Sequence, residues 1–276
     1  MKRLVVIRGG GEIATGIAIY LYRAGFRVMV LEQAAPTSIR REMSFADAVY
    51  DGEKTVERVN CRRAADVKEA KKLLKKNEVV IYVDPAADCV RELEPEILVD
   101  AILAEENLGT ERSMAGHTIG LGPGFCAGRD VDAVIETMRG YNLGRIVYEG
   151  FTRKNPDAPS HVGNSNTPEH IVHAPVGGSV ELLRQISFAV KQGEVFAKIH
   201  QEDGNVVDVA SPINGILRGS IRNDSVVEKG QKIADINPNL SHSQCFRLSD
   251  KVRCIAGSVL ETVMIWRSAE KKRFFR

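Results

Sequence analysis

The sequence predicts an α/β domain with a parallel sheet, followed by a small all-β domain and a C-terminal helix. Two observations lead to this prediction. In the first half, short apolar runs alternate with glycine-rich turns and helical segments, as in parallel strands joined by crossover helices. In the second half, residues 174–199 and 211–236 share one ungapped skeleton, in which Pro175, Gly178 and Gly193 match Pro212, Gly215 and Gly230.

Composition sets the broad class of the protein. The 276 residues are 43% hydrophobic and 27% charged with a net charge of +2, which is ordinary for a globular chain and predicts neither a nucleic-acid nor a membrane partner. The apolar N-terminal run is broken by glycines, so no signal peptide is predicted, and no run is long enough to span a membrane. Five scattered cysteines without a CxxC pair predict reduced thiols and a cytoplasmic location.

A βαβ unit opens the chain. Residues 4–7 form a short apolar run typical of a buried parallel strand. Ile13, Ile17 and Leu21 then recur at helical spacing, Gly25 ends the helix, and residues 27–32 form a second strand. This unit predicts a Rossmann-like domain.

The glycines between the first strand and the helix predict a nucleotide site. Gly9, Gly11 and Ala14 fit the pattern G-x-G-x-x-G/A, in which glycines permit a tight turn and let a pyrophosphate approach the helix N-terminus. Glu32 ends the second strand, where an acid binds a ribose hydroxyl. The alternative is a glycine-rich turn that binds nothing. The predicted binding residues are Gly9, Gly10, Gly11, Glu12, Ile13, Ala14, Glu32, Gly122 and Gly124.

Further alternation extends the predicted sheet to five or six strands. Strands are predicted near residues 53–60 and 79–85, with an amphipathic helix over 62–78 between them. Near residue 117 another strand leads into glycines and a predicted helix from about Asp130. Parallel strands end at one edge, so the loops at 9–11 and 122–128 are expected to lie together.

Candidate reactive side chains are few, and the catalytic residues stay unknown. Cys126 is a weak candidate, because it precedes the helix predicted from Asp130 and a helix N-terminus lowers a thiol pKa. His117 is the one histidine that an oxidoreductase could use as proton donor in the first domain. His161, His170 and His173 lack the partners of a recognised metal site, so no metal is predicted.

The repeated segments resemble the two halves of a biotinyl/lipoyl domain, also called a barrel-sandwich hybrid. The predicted domains are accordingly 1–152, a linker at 153–171, the barrel at 172–238 and a C-terminal helical extension at 239–276. In carrier domains the central hairpin presents a modified lysine, but residues 200–208, HQEDGNVVD, contain none. We therefore expect neither biotin nor lipoate, and a packing, docking or ligand-binding role for this domain.

Several segments in order resemble one protein family. They are VVIRGGGEIATG, REMSFADAVYDG, LGPGFCAGRDVDAVIETMRGYNLGR, the repeat pair and CFRLSDKVRCIAGSVLE. Together they are similar to YqeB-type accessory proteins of selenium-dependent molybdenum hydroxylases, and the first domain is similar to xanthine dehydrogenase accessory factors. The resemblance implies a role in maturation of a molybdenum hydroxylase of the xanthine dehydrogenase type, as partner.

The identity of the ligand stays open at this point. NAD(P) and a molybdenum-cofactor nucleotide both carry the pyrophosphate that the glycine loop suits. Glu32 favours an unphosphorylated ribose, and Arg40 and Arg41 could reverse that preference by holding a phosphate. An NAD-dependent oxidoreductase and a non-catalytic docking adaptor are the alternative functions, and a homo-oligomer is possible.

Overall fold

A computed structural model describes residues 3–152 and 170–274 of the chain. Within them the chain divides into two compact units. The first comprises residues 3–36, 44–152 and 248–274, and the second comprises 37–43 and 170–247. The predicted domain boundaries stay predictions.

The first unit is built on a nine-stranded sheet. The strands of this unit are β1 (Leu4–Arg8), β2 (Arg27–Glu32), β3 (Glu53–Val56), β4 (Val59–Ala64), β5 (Val79–Val83), β6 (Ile97–Asp100), β7 (His117–Leu121), β8 (Cys126–Ala127), β9 (Ala133–Ile135), β10 (Ile146–Val147) and β11 (Gly150–Phe151). The sheet order is β10-β9-β7-β6-β1-β2-β5-β4-β3, and β8 pairs separately with β11. Its helices are α1 (Glu12–Arg23), α2 (Ala48–Asp51), α3 (Val67–Lys75), α4 (Val90–Leu93) and α5 (Asp250–Phe274).

Strand β1 lies at the centre of this sheet and is buried along its whole length. It pairs in parallel with β2 on one side and with β6 on the other. Because both faces of the strand are buried, apolar residues follow one another along it and do not alternate with polar residues. The carboxyl ends of β1, β2 and β6 therefore meet at one edge, from which the glycine loop leads into α1.

Helix α5 packs along α1, and Gly16 makes the contact possible. A Cβ placed on Gly16 would overlap the side chain of Val252, so only glycine lets the two helices approach this closely. Apolar side chains of α5 at helical spacing, Val252, Ile255, Val259 and Val263, are buried in the core. The predicted C-terminal helix is present, and it begins at Asp250, nine residues before the first apolar residue that predicted it, Val259.

Two four-stranded antiparallel sheets form the second unit. Its strands are β12 (Ile171–His173), β13 (Gly178–Leu182), β14 (Ala189–Val190), β15 (Val195–His200), β16 (Val206–Ala210), β17 (Gly215–Ser220), β18 (Val226–Val227) and β19 (Lys232–Asn237). The sheet orders are β12-β19-β17-β14 and β16-β15-β13-β18. Each half of the repeat lends its short middle strand to the other half's sheet.

The registers of these exchanged strands repeat as the sequence does. Gly178 pairs with Val227 in one sheet, and Val190 pairs with Gly215 in the other. Both residues of the first pair match residues of the second at the repeat offset. The sequence repeat is therefore a repeat of structure, with one unit used twice.

The predicted fold class, a Rossmann-like parallel-sheet domain followed by a biotinyl/lipoyl-like barrel-sandwich hybrid, is wrong. The first unit has a mixed sheet, with antiparallel pairs β3–β4 and β9–β10 at its two edges. Several of its connections, including the one from β6 to β7, carry no α-helix. The second unit is two separate sheets rather than one flattened barrel. Edge strands and missing crossover helices depend on long-range pairing, which local spacing does not encode.

The helix predicted from Asp130 is also wrong. This segment forms β9 instead, parallel to β7. The Asp132 carboxylate holds the segment extended, since it accepts hydrogen bonds from the Thr118 backbone N–H at 2.8 Å and from its hydroxyl at 3.0 Å. Val131, Val134 and Ile135 are β-branched and buried, which favours a strand once a partner strand is available.

Candidate functional site at the carboxyl edge of the sheet

The glycine loop after β1 is shaped mainly by contacts within the chain. Gly9 has φ +91°, and its N–H donates to the Leu31 carbonyl oxygen at 2.8 Å. A Cβ on Gly9 would lie 3.0 Å from the Ala101 carbonyl oxygen. Both the left-handed backbone and the close approach require glycine here without any ligand.

Gly10 is covered by two other segments of the first unit. Its N–H donates to Glu32 Oε2 at 2.7 Å, and its carbonyl oxygen accepts a hydrogen bond from the Ala46 N–H at 2.9 Å. A Cβ on Gly10 would lie 3.2 Å from the Ala46 Cα. Two of the three loop glycines therefore make room for the protein's own backbone.

The first turn of α1 is different, because its N-cap residue has no side chain that could cap it. Gly11 is the N-cap, with extended backbone at φ −66° and ψ −177°, and it makes no side-chain cap hydrogen bond. Ala14 is buried, whereas Gly11, Glu12 and Ile13 are partly exposed. The first N–H groups of a helix have no partner within it, so this turn presents donors towards the sheet edge.

Glu32 serves the loop itself. One carboxylate oxygen accepts from Gly10, and the other accepts from the Gln33 N–H at 2.8 Å. Burial raises the pKa of Glu32, and the two backbone hydrogen bonds partly offset that rise. The acid predicted to bind a ribose lies at the predicted place and fixes the glycine turn.

A buried ion pair that sequence reasoning missed lies at the same edge. Arg8 Nη1 lies 3.3 Å from Asp100 Oδ2, and both side chains are almost fully buried. The Thr110 hydroxyl accepts from Arg8 at 2.6 Å and donates to Asp100 at 2.6 Å. Arg8 also donates to the carbonyl oxygens of Pro85 and Leu108. The sequence signal for this ion pair was a charged residue at the end of each of two apolar runs, because adjacent parallel strands bring their last residues together.

Lys251, also missed, lies in the first turn of α5, the helix that packs on α1. Burial is the main cause that lowers the pKa of its amine, and Arg139 lowers it further. Glu12, Glu136 and Asp250 act in the opposite direction. Arg139 itself holds both carboxylate oxygens of Asp250 at 3.0–3.3 Å. The Glu12 carboxylate of α1 is one of the charges that act on this amine.

The second glycine loop also packs against its own chain. Gly122 has φ +85°, and a Cβ there would lie 3.1 Å from the Thr137 hydroxyl. A Cβ on Gly124 would lie 3.1 Å from the Ala104 carbonyl oxygen and 3.0 Å from the Glu106 carbonyl carbon. Packing of the chain therefore explains why both of these predicted binding positions are glycine.

Cys126 does not stand before a helix. It lies in β8, partly buried, and its N–H donates to Asp130 Oδ2 at 2.8 Å. Asp130 in turn accepts two hydrogen bonds from Arg129, which lower the pKa of that carboxyl. Without a helix the stated reason for a reactive thiol is absent.

Three residues considered for proton donation or for holding a phosphate are engaged elsewhere. His117 starts β7, at the amino edge of the sheet, and its ring stacks on Trp266 with centroids 4.4 Å apart. In the second unit, Arg40 donates to the Arg218 carbonyl oxygen at 2.6 Å, and Arg41 donates to that of Ser220 at 2.9 Å. The two arginines fasten residues 37–43 to β17.

A cavity of about 660 Å³ lies away from the glycine loop, between α4 and residues 109–116. It reaches towards the amino ends of β6 and β7. Its lining includes Asp88, Arg91, Glu94, Glu111, Ser113 and Met114. None of the predicted binding residues lines it.

Comparisons with known proteins bear on the predicted family. No family model matches the chain. An uncharacterized protein of Escherichia coli (strain K12), YqeB, is 43% identical over 263 residues, which are 95% of this chain and 48% of that protein. Over this region the chain is YqeB-like. It spans about half the length of this curated relative.

Solved structures give a weaker likeness. A succinylglutamate desuccinylase/aspartoacylase from Rhodobacter sphaeroides is 20% identical, with 28% of this chain and 24% of that chain covered and a TM-score of 0.26. The apo ectoine utilization protein EutE (DoeB) from Ruegeria pomeroyi is 10% identical, with 85% and 86% covered and a TM-score of 0.28. An aspartoacylase family protein from Mesorhizobium loti is 9% identical, with 86% and 85% covered and a TM-score of 0.28.

The predicted functions are corrected by these comparisons. The expected accessory role in maturation of a selenium-dependent molybdenum hydroxylase is wrong, and so is the alternative of an NAD-dependent oxidoreductase. The YqeB relative is uncharacterized and supports neither role. The expected handling of selenium and molybdenum cofactor by such an accessory protein, and the Rossmann assignment, are wrong with them.

In residues 3–152 and 170–274 no helix is both long enough and apolar enough to cross a bilayer. The cytoplasmic location stays a prediction.

Proposed function

We propose that this chain binds a phosphate-bearing small molecule, of the nucleotide class, at the N-terminus of α1. The observation that supports the proposal is the uncapped first turn at Gly11, at the carboxyl edge of the parallel strands. In open α/β sheets, ligands bind beyond that edge. The site is formed by Gly11, Glu12, Ile13 and Ala14.

The helix start suits an anion for two physical reasons. Its first N–H groups lack partners inside the helix, and the aligned peptide dipoles place a partial positive charge there. Such a terminus stabilises an anion by about 0.3–2 kcal/mol, depending on burial. Because Gly11 has no side chain, a phosphate can approach these donors closely.

Glu32 and Ala46 support this site indirectly. Their hydrogen bonds to Gly10 fix the turn that aims the first turn of α1 at the sheet edge. A preformed turn lowers the ordering entropy that binding must overcome. The glycines that pack against the chain itself therefore hold the first turn of α1 in the position in which it could bind a ligand.

Two further expectations from the sequence stay predictions. NAD(P) or a molybdenum-cofactor nucleotide as the bound cofactor, without biotin or lipoate, is untested. So are the expected partners, a molybdenum hydroxylase and a second copy of this chain.

Thermal unfolding with a ligand panel tests the proposal. NAD, NADP, FAD, AMP, CTP and inorganic pyrophosphate are each added to the 276-residue chain. A ligand present at about a hundred times its Kd stabilises the folded state by about 2.7 kcal/mol, which raises Tm by about 5 °C for a chain of this length.

Gly11→Val is the decisive variant. The backbone of Gly11, at φ −66°, is open to any residue, so the variant should fold while its side chain blocks the phosphate. The thermal shift should disappear. Gly257→Val is the control, because a Cβ there meets nothing within 4 Å and the ligand shift should persist. A panel without any thermal shift, or an unchanged shift in Gly11→Val, contradicts the proposal.

A further inference from the structure

The cavity of about 660 Å³ in the first unit lies between two connections of the parallel sheet. Residues 86–95 connect β5 to β6, and residues 109–116 belong to the connection from β6 to β7. They form the first and the second wall of the cavity. A cavity of this volume is within the range of small-molecule sites in proteins. The nucleotide site proposed above shares no residue with it.

Hydrogen bonds tie the two walls together at both ends, so the cavity is formed without a ligand. Before the walls begin, Arg8 donates to the carbonyl oxygens of Pro85 and Leu108, at 3.0 and 3.2 Å. Where the walls end, the Gly116 N–H donates to the Pro95 carbonyl oxygen at 3.2 Å. The side chain of Arg8 is itself buried and held in an ion pair. Fixed walls lower the ordering entropy that binding must overcome.

Three charged residues of the first wall line the cavity at intervals of three, namely Asp88, Arg91 and Glu94. Opposite charges at this spacing on a helix often pair with one another. Within the part of the chain that the structure describes, however, none of these three side chains makes a hydrogen bond or an ion pair. Glu92, which does not line the cavity, pairs with Lys71 at 2.6 Å. The ion pair of this segment thus lies outside the cavity, and a row of unpaired charges lies along it.

The second wall adds one carboxylate and part of an apolar surface. Glu111 lines the cavity, and its carboxylate accepts a hydrogen bond from the Ser113 hydroxyl at 3.3 Å. Three carboxylates against one guanidinium give the described lining a formal charge of −2. The apolar part of the lining comes from both walls and includes Ala87, Val90, Met114 and Ala115.

We propose that this cavity binds a free basic α-amino acid, of the lysine or arginine class. Such a molecule carries one carboxylate, two cationic groups and a short methylene chain. Its carboxylate matches Arg91, whose planar fork of donors suits a carboxylate. Its cationic groups match the carboxylates on either side of Arg91 and across the cavity, and its methylene chain matches the apolar surface. This site is independent of the proposed nucleotide site.

The charges of the lining argue against other classes of ligand. A phosphate or dicarboxylate ligand would meet three carboxylates and a single guanidinium, and like charges brought together oppose binding. A diamine would satisfy the carboxylates but would bring its own charge against Arg91. A neutral apolar ligand would leave all four charges without partners.

Calorimetry of the whole 276-residue chain with three matched ligands tests the inference. L-lysine has every group that the cavity should recognise, cadaverine lacks the carboxylate, and L-norleucine lacks the side-chain amine. Lysine should bind most tightly, and its Kd should rise with salt because salt screens the charges. A wild-type chain that binds neither lysine nor arginine, or that binds norleucine as tightly as lysine, overturns the inference.

Arg91→Met identifies the group that receives the carboxylate. The side chain is exposed and unpaired, so the variant should keep the wild-type Tm. The Kd of lysine should rise about tenfold, as expected for the loss of one charge-assisted hydrogen bond. The Kd of cadaverine should not rise, because cadaverine has no carboxylate to lose. An equal loss of affinity for both ligands contradicts the inference.

Glu94→Gln tests the recognition of the cationic groups while keeping the size of the side chain. The Kd values of lysine and cadaverine should both rise, about twofold to fivefold, because this carboxylate is exposed. Glu92→Gln is the matched control: it makes the same change two residues away, at a carboxylate that pairs with Lys71 outside the cavity. Equal effects of the two variants would mean that only the overall charge matters, which contradicts the site.

Two further variants place the ligand. Ala86→Trp fills the cavity from an exposed lining position, so lysine and cadaverine should no longer bind while circular dichroism and Tm stay unchanged. Lysine that still binds to this variant lies elsewhere, and the inference is then wrong. Gly11→Val should leave the Kd of lysine unchanged, so a failure of the nucleotide site and a failure of this cavity are distinguishable.

Discussion

Replacing Arg8 with methionine should destabilise the first unit by about 3–5 kcal/mol, the usual penalty for removing one partner of a buried ion pair. The structure accounts for this magnitude. Arg8 is 3% exposed, and it contacts Asp100, the Thr110 hydroxyl and the carbonyl oxygens of Pro85 and Leu108. Methionine fills the space but leaves the Asp100 carboxylate buried without its counterion.

Urea unfolding followed by circular dichroism measures the effect. Arg8→Met combined with Asp100→Asn should recover part of the loss, because no uncompensated charge then remains in the core. Arg62→Met is the control: its ion pair with Glu78, 3.2 Å long, is partly exposed and should contribute less than about 1 kcal/mol. If Arg8→Met loses no more stability than Arg62→Met, the buried pair does not hold this edge together.

Two other predictions concern the second unit and Lys251. Gly193→Val and Gly230→Val should each lower the free energy of unfolding by about 1–3 kcal/mol. Their φ angles are +82° and +84°, and a Cβ at either position meets nothing within 4 Å, so backbone strain is the whole effect. Unchanged urea midpoints would refute this. For Lys251, whose folded pKa is lowered, the unfolded state binds more protons, so the free energy of unfolding should rise with pH from that lowered pKa up to the ordinary 10.5. Lys251→Met should lack this rise, and an identical pH profile in both proteins would count against a disfavoured ammonium.

The sequence alone determined the local elements of the fold. The apolar run at 4–7, the helical spacing after it and the strand at 27–32 correspond to β1, α1 and β2. The repeat offset predicted a structural unit used twice, and the strand registers of both halves agree with it. These features could be predicted because periodicity, glycine punctuation and repetition are properties of neighbouring residues.

Only the tertiary structure decided the sheet edges and the surroundings of the site. A helix was predicted from about Asp130, yet Ala133–Ile135 pair with β7 as strand β9. Gly9 and Gly10 read as a ligand loop, yet they contact Ala101 and Ala46, which lie far away in the sequence. Glu12 of α1 acts on the pKa of Lys251 only because α5 packs on α1. Long-range pairing and burial set the charge environment of each side chain, and local sequence patterns do not show which distant residues will meet.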